Sequence, residues 1–575
     1  MKTEPVPVMK KKSLHRDLLD EIEKKERRGE LEKPAKSMKY RLLFGMAITA
    51  ILIIAAIFAY PKIYKRDKFK DIRDQDGKIS IAVMPFDNLT GDTTLNWFQK
   101  GISSLIINRL GNSSELSVSD DQTMFEVMES MNQVVTAGIS PALAKEVAKK
   151  VRAETYISGS YQGKEGKYWI LVNLVSTDSR DIIWTNKVAG DLKSSGYLDL
   201  ADSLCNEIKN YLEIKALEEN ADYDFREAYP KSSEAYRYFI EGMNMILTTD
   251  YPSAIQSLKK ALEIDSTFTF ASFYLAYAYS YSGEDIQSAL WTKKTYSGKR
   301  RVPPKYRLLL EQWYAQLISK NLADINRYGN LLEESGINSR LLWFDIGSTY
   351  YYCSAQYKKA VEAYDKVMEI SLERGGNWKF EPFYWKYGQA LHDLGKHKEE
   401  KEIYEIGLGF FPDSWRIKYN QAVCALSLGD TTEANKYIVK FKSLTLEKGY
   451  SENVTEQYLG QIYRDAKIID KAEVHFRNAY KLNPQNRRCV FWLASLLIDN
   501  DININEGMEL SRKALEIWPD AYDLLLVKGR GCYKQGKYKE ALDILEKSWD
   551  LYPFYSTELA FYIQEVKKAV ASQKK

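Results

Sequence analysis

Between residues 235 and 555 the same residue chemistry returns at intervals of about 34 residues, and this recurrence limits the fold more than any other feature of the chain. The stretch 453–486 shows the unit most clearly. It carries Gly460, Tyr463, Ala472, Phe476, Ala479 and Pro484, with two helix-length segments around a polar turn at 465–470. Small residues recur where two helices must touch closely, and Pro484 falls where a second helix has to stop. The chemistry returns as Gly388, Gly395, Tyr404 and Pro412, as Ala422, Gly429, Ala434 and Phe441, as Gly529, Tyr538, Ala541 and Leu545, and first as Gly242, Ala254, Leu258 and Ala261. One helix pair cannot bury its apolar face alone, so a stack of about nine units is expected. The units near 343–371 and 487–521 each carry one extra residue, and those between 269 and 339 are degenerate, with a loop-like insertion at 297–304.

The spacing resembles the tetratricopeptide repeat, which implies an all-α, right-handed superhelical solenoid whose first helices line a concave face. On that face the helical spacing places Phe344, Tyr351, Trp385, Gln389, Arg416, Tyr419, Gln461, Arg464, Arg530 and Tyr533. Aromatic rings, guanidinium groups and amides suit an extended peptide or a partner helix. Half of these residues could equally do no more than brace neighbouring helices. The Lys and Asn pattern by which some relatives grip a carboxy-terminal carboxylate is absent, which argues against a chaperone-tail ligand. Residues 556–575 read as a closing helix and tail, with Leu559, Ile563 and Val566 toward the array.

The amino-terminal end has a different character. Residues 1–41 form a basic tail, and 42–60 hold nineteen residues without a charge. A helix of that length spans roughly 28 Å, close to a bilayer's hydrocarbon thickness. The apolar run is too long, and its basic leader too extended, for a cleaved signal peptide. A single retained transmembrane helix is therefore expected. The excess of Lys and Arg before it predicts a cytosolic amino terminus and a bulk on the far side. The tail either sets this topology or, through Leu14, Leu18, Leu19 and Ile22 on one side of a short helix, docks a cytosolic partner.

Residues 78–212 alternate strands and helices. Strands are expected at 79–86, 116–119, 155–161, 168–176 and 181–188, and helices at 95–110, 122–131, 141–151 and 197–211. This order predicts a small α/β domain with a mixed sheet. Residues 81–92, reading from Ile81 through Pro85, Asn88 and Gly91, together with Ile157-Ser158-Gly159-Ser160-Tyr161, resemble a TolB amino-terminal-like domain. The resemblance implies a bacterial membrane protein. It carries no catalytic residue, and Pro85, Asn88 and Gly91 read as strand exit and turn. Residues 213–234 read as a charged linker helix.

Enzymatic chemistry has little to rest on. The Gly531-to-Lys537 stretch has Gly-x4-Gly-Lys spacing but lacks the following Ser or Thr, and it lies between two helices of a repeat. No catalytic residue, cofactor site or metal ligand set is read from the sequence: the four His are scattered, and no two of the five Cys share a CxxC spacing. With 82 Lys and Arg against 78 Asp and Glu, charge gives no reason to expect nucleic-acid binding. The composite expectation is a non-enzymatic scaffold in a bacterial inner membrane, single-pass, with its bulk periplasmic and a protein or peptide in the groove. Two alternatives stay open: a transmembrane sensor relaying periplasmic ligand binding to a cytosolic regulator, and an organelle-membrane receptor with a cytosolic array, which free thiols would suit.

Overall fold

A computed structural model describes residues 69–573 except 75, 114, 132–138, 165–166, 192–195, 213, 215–222, 336–338 and 374–377. Everything below lies in the second of its two units, Asp71–Lys575. The basic tail, the apolar stretch 42–60 and most of the linker lie outside the described residues. Among the described residues no helix is long and apolar enough to cross a membrane.

Pro85 has no amide hydrogen to give a ladder, and the first expected strand divides around it. β1 (Ile79–Val83) ends before it and β2 (Asp87–Asn88) resumes after it. β1 runs parallel to β3 (Leu116–Val118) and to β4 (Thr155–Lys164), while β2 runs parallel to the later part of β4. β4, β5 (Lys167–Ser176) and β6 (Ile182–Gly190) follow as an antiparallel meander. The sheet order is β3-β1-β4-β5-β6, so the mixed sheet expected from the sequence is present. Asn88 then forms the turn: its side-chain oxygen accepts from the Thr90 amide at 3.0 Å, and Gly91 takes a φ of +77°. Helices Asp121–Ser130 and Pro141–Lys150 bury Val127, Val147 and Ala148 against Ala82, Met84 and Tyr156 of the sheet.

Among the described residues nine antiparallel helix pairs follow, from Ser233–Leu247 with Tyr251–Ile264 (pair 1) to Tyr522–Lys534 with Tyr538–Leu551 (pair 9). The array is tetratricopeptide-like in how each pair closes. A Cβ added at Gly388 would stand 2.0 Å from a ring carbon of Tyr404, and one at Gly460 2.4 Å from Phe476, so glycine is what lets the two helices approach. Gly242 meets Leu258, Gly347 meets Tyr364 and Gly529 meets Leu545 in the same way. The two units with an extra residue hold it in the turn: residues 353–356 and 500–503 make four-residue connections, against three at 394–396. The degenerate region is regular in three dimensions. Thr269–Tyr281 with Asp285–Ser297 (pair 2) and Pro304–Leu317 with Leu322–Glu334 (pair 3) are ordinary pairs, joined through a 3₁₀ turn at Lys299–Arg301.

Thr557–Gln573 covers the last pair, with Leu559 and Val566 fully buried and Ile563 packed beside them. The array then returns onto itself. The Tyr555 amide donates to the Gln316 carbonyl at 2.7 Å, and the Thr557 hydroxyl donates to the Cys353 carbonyl at 2.9 Å. Lys320 donates to the Trp549 carbonyl, and Tyr555 and Trp549 share an apolar cluster with Ala315, Ile325 and Cys353. Pair 9 and the closing helix therefore touch pairs 3 and 4. The α/β domain is tied in as well: Arg340, opening pair 4, reaches Glu126 at 2.6 Å, with their side chains 5% and 2% exposed.

Candidate functional site

First helices of successive pairs lie side by side, on the face that the sequence expects to be the inner one. At its centre are Arg340–Tyr352 (first helix of pair 4), Glu381–Asp393 (pair 5) and Trp415–Ser427 (pair 6). Here Phe344, Trp385 and Arg416 from the expected set meet Lys386, Tyr352 and Trp415, which the sequence reading missed. Lys386 places its ammonium 5.0 Å from the Phe344 ring centre, 5.1 Å from that of Tyr352 and 5.6 Å from that of Trp385. The Arg416 guanidinium lies 4.7 Å over Trp415 and 6.0 Å from Trp385. Arg416 is exposed, and Trp385 is half-buried with an indole N–H that is buried and makes no hydrogen bond. This patch offers the exposed Arg416 guanidinium beside aromatic rings, so it suits a ligand rich in acceptors.

Burial lowers the Lys386 ammonium to about 8, and the nearby Asp345 carboxylate works against that shift. Burial pushes the Asp345 carboxyl up to about 7, against the pull of the Tyr281 hydroxyl and of Lys386. Tyr281, from the first helix of pair 2, donates to Oδ1 of Asp345, while Oδ2 is buried with no hydrogen-bond partner.

The ten residues expected on this face divide. Trp385, Gln389, Arg416 and Gln461 are exposed or half-buried, with Gln389 accepting a long bond of 3.4 Å from the Tyr352 hydroxyl. Tyr351, Arg464 and Tyr533 are half-buried and already engaged. Tyr351 donates to Asp393 at 2.6 Å, Arg464 is paired with Asp465 at 2.6 Å and lies 4.2 Å over Trp492, and Tyr533 packs on Tyr538 and Tyr562. Phe344, Tyr419 and Arg530 are not free contact residues, being only 1%, 8% and 4% exposed. Phe344 is walled in by Trp378 and Phe380, and Tyr419 donates to Asp465 of the next first helix. Arg530 is held by Asp499 at 3.2 Å, by Ser495 at 2.7 Å and by Glu558. A phenol or guanidinium of one first helix reaching a carboxylate of the next is a bracing pattern, and it takes these side chains out of the groove.

A second concavity of about 1270 Å³ lies between the α/β domain and pairs 1 to 4. β3, the edge strand of the sheet, forms one wall, and Tyr274, Tyr277 and Tyr306 are on the opposite one. Nothing in the sequence marked it, because its walls come from segments some two hundred residues apart. The Gly531-to-Lys537 stretch is an ordinary repeat turn, with Gly536 at φ +76° and the Lys537 amide bonded to the Cys532 carbonyl.

No family model matches the chain. A curated relative, "Putative adenylate cyclase 3" of Rhizobium meliloti (strain 1021), is 26% identical over 192 residues, which cover 33% of this chain and 30% of the relative. The chain thus spans less than a third of the length of that relative. Similar solved structures include YrrB, described as a TPR protein with an unusual peptide-binding site, at 16% identity over 36% of this chain and 99% of that one, with a TM-score of 0.21. A tetratricopeptide repeat protein from Parabacteroides merdae ATCC 43184 is 12% identical over 58% of this chain and 100% of that one, with a TM-score of 0.29. The first TPR of Spaghetti (RPAP3), bound to an HSP90 peptide, is 16% identical over 21% of this chain and 94% of that one, with a TM-score of 0.20. What makes this array tetratricopeptide-like is its own pairing of helices and glycines.

Proposed function

We propose that the chain is a non-enzymatic, membrane-anchored scaffold that binds a protein partner along the inner face of its helix-pair array. The observation that supports this most directly is the patch around Trp385 and Arg416, where an exposed guanidinium lies over two indole rings beside an unsatisfied indole N–H. An extended polypeptide with backbone carbonyls and acidic side chains supplies acceptors for the Arg416 guanidinium and covers the exposed edge of Trp385. The anchor is read in the uncharged stretch 42–60, with the array on the periplasmic side of a bacterial inner membrane and the TolB-like α/β domain as spacer or second contact.

The test is chemical cross-linking in native membranes with wild type and the Trp385→Ala/Arg416→Ala double variant. Partner bands present for wild type and lost for the variant, at a temperature where both proteins remain folded by circular dichroism, are expected. Identical bands from both proteins overturn the reading.

The likeness to a relative named as a cyclase supports a second reading, a transmembrane sensor whose basic tail informs a cytosolic regulator. Deleting residues 1–38 separates the two: a sensor loses its downstream response, whereas a scaffold keeps its cross-linked partner.

A further inference from the structure

The array contains a constellation that the inner face does not use. His392 closes the first helix of pair 5, and His397 opens its second helix, His397–Phe410. Gly395 between them sits at φ +69°, which lets the chain reverse tightly enough to set the two rings face to edge, 5.0 Å apart. Glu400 follows one helical turn after His397, and Cys424 arrives from the first helix of pair 6. Nδ1 of His392 lies 3.0 Å and Nδ1 of His397 2.9 Å from the same carboxylate oxygen, Oε2 of Glu400. One donor atom from each of the four residues lies within 4.8 Å of all the others.

We propose that His392, His397, Glu400 and Cys424 bind one divalent first-row transition metal ion, Zn²⁺ by preference, and thereby staple pair 5 to pair 6. Two imidazoles, a carboxylate and a thiolate form a donor set of the borderline-soft kind that Zn²⁺ takes tetrahedrally, with bonds of about 2.0–2.3 Å. A tetrahedron with such bonds has edges of roughly 3.3–3.8 Å. The carboxylate-to-imidazole separations need to open by only a few tenths of an ångström to meet that figure.

The burial pattern fits the same role. The side chain of Glu400 is 1% exposed and Cys424 is 1% exposed, while the side chains of His392 and His397 are 20% and 28% exposed, which leaves an entry path past the two rings. The Tyr404 hydroxyl is buried beside both Glu400 and Cys424. It is placed to hold a ligating carboxylate from the outer shell, as such partners do. Cys424 belongs to a different pair from the other three, so a bound ion fixes the angle between successive units. The site stands whether or not the inner face binds a partner.

The test uses the full chain, stripped with a chelator and dialysed, and titrated with Co²⁺ and Zn²⁺. One ion per chain is expected, with the intense visible bands of tetrahedral Co²⁺, a near-ultraviolet thiolate-to-cobalt charge-transfer band, and a raised melting temperature. Cys424→Ser should remove the charge-transfer band. His397→Asn, at a half-exposed position, should weaken Zn²⁺ binding by more than about 100-fold, the most that losing even an outer-shell partner costs. Far-ultraviolet circular dichroism of the metal-free variants shows that their fold is kept. Absence of tetrahedral bands in wild type, or equal Zn²⁺ affinity in wild type and His397→Asn, overturns the proposal and leaves two imidazoles sharing a carboxylate.

Discussion

The backbone amide of Tyr555 donates to the carbonyl of Gln316 at 2.7 Å, joining the end of the array to its third pair. The joint is apolar as well, since the Trp549 ring meets that of Tyr555 edge-on at 5.6 Å and lies 5.5 Å from the Lys320 ammonium. Trp549→Ala should therefore cost about 3 kcal/mol, the lower end for removing a large aromatic that is only partly buried. Hydrogen exchange checks it: protection at Tyr555 and around Cys353 should fall, while pairs 6 and 7 stay unchanged.

Gly460 and Gly409 should respond in opposite directions to the same substitution. A methyl at Gly460 would press on Phe476, so Gly460→Ala should destabilise by about 1–3 kcal/mol despite the better helix propensity. Gly409 lies within the second helix of pair 5 with nothing within 4 Å of an added Cβ, so Gly409→Ala should stabilise by about 0.5–1 kcal/mol. Thermal melts of the two variants decide both.

Arg340 and Glu126 form a buried pair between the array and the α/β domain. Removing one partner leaves the other charge buried, so Arg340→Ala should cost about 3–5 kcal/mol, whereas Arg340→Met with Glu126→Leu should recover most of the loss. Limited proteolysis between the two parts gives an independent readout, with faster cutting expected only in the single variant.

Asp345 gives the stability of the array a pH dependence of known sign. Its folded carboxyl titrates at about 7 against 3.8 for an ordinary one, so between these values the folded state holds the proton more tightly. Stability from this group is full below about pH 4 and is lost as the pH rises toward 7. Asp345→Asn keeps an acceptor for Tyr281 and removes the titration, so it should stabilise by an amount of the order of 1–3 kcal/mol at pH 8 and by almost nothing at pH 4. Urea midpoints at the two pH values measure the difference.

The repeat was legible because its signals are local. Gly388 facing Tyr404, Gly460 facing Phe476 and the extra turn residue at 353–356 are all visible within one unit. Even the degenerate pairs 2 and 3 keep the helix lengths that the sequence blurred. The mixed sheet was legible for a similar reason, since Pro85 and Gly91 mark strand exit and turn. The inner face was only half legible. Helical spacing groups Tyr419 and Arg530 with the other first-helix side chains, but it does not show that Asp465 and Asp499 of adjacent helices claim them. The meeting of His392, His397, Glu400 and Cys424 was hidden because no contiguous motif spans the turn and the neighbouring pair. The return of Tyr555 to Gln316 depends on small rotations summed over six pairs, which no single unit displays.

That return has a consequence for how such a chain can evolve. An open stack lengthens freely, because a duplicated unit simply moves the end outward. Here a duplication or deletion anywhere between pairs 4 and 9 would displace the seam by roughly 10 Å, one interhelical spacing, and part Tyr555 from its acceptor. The seam thus acts as a gauge of length, holding the number of units fixed even where their individual sequences drift.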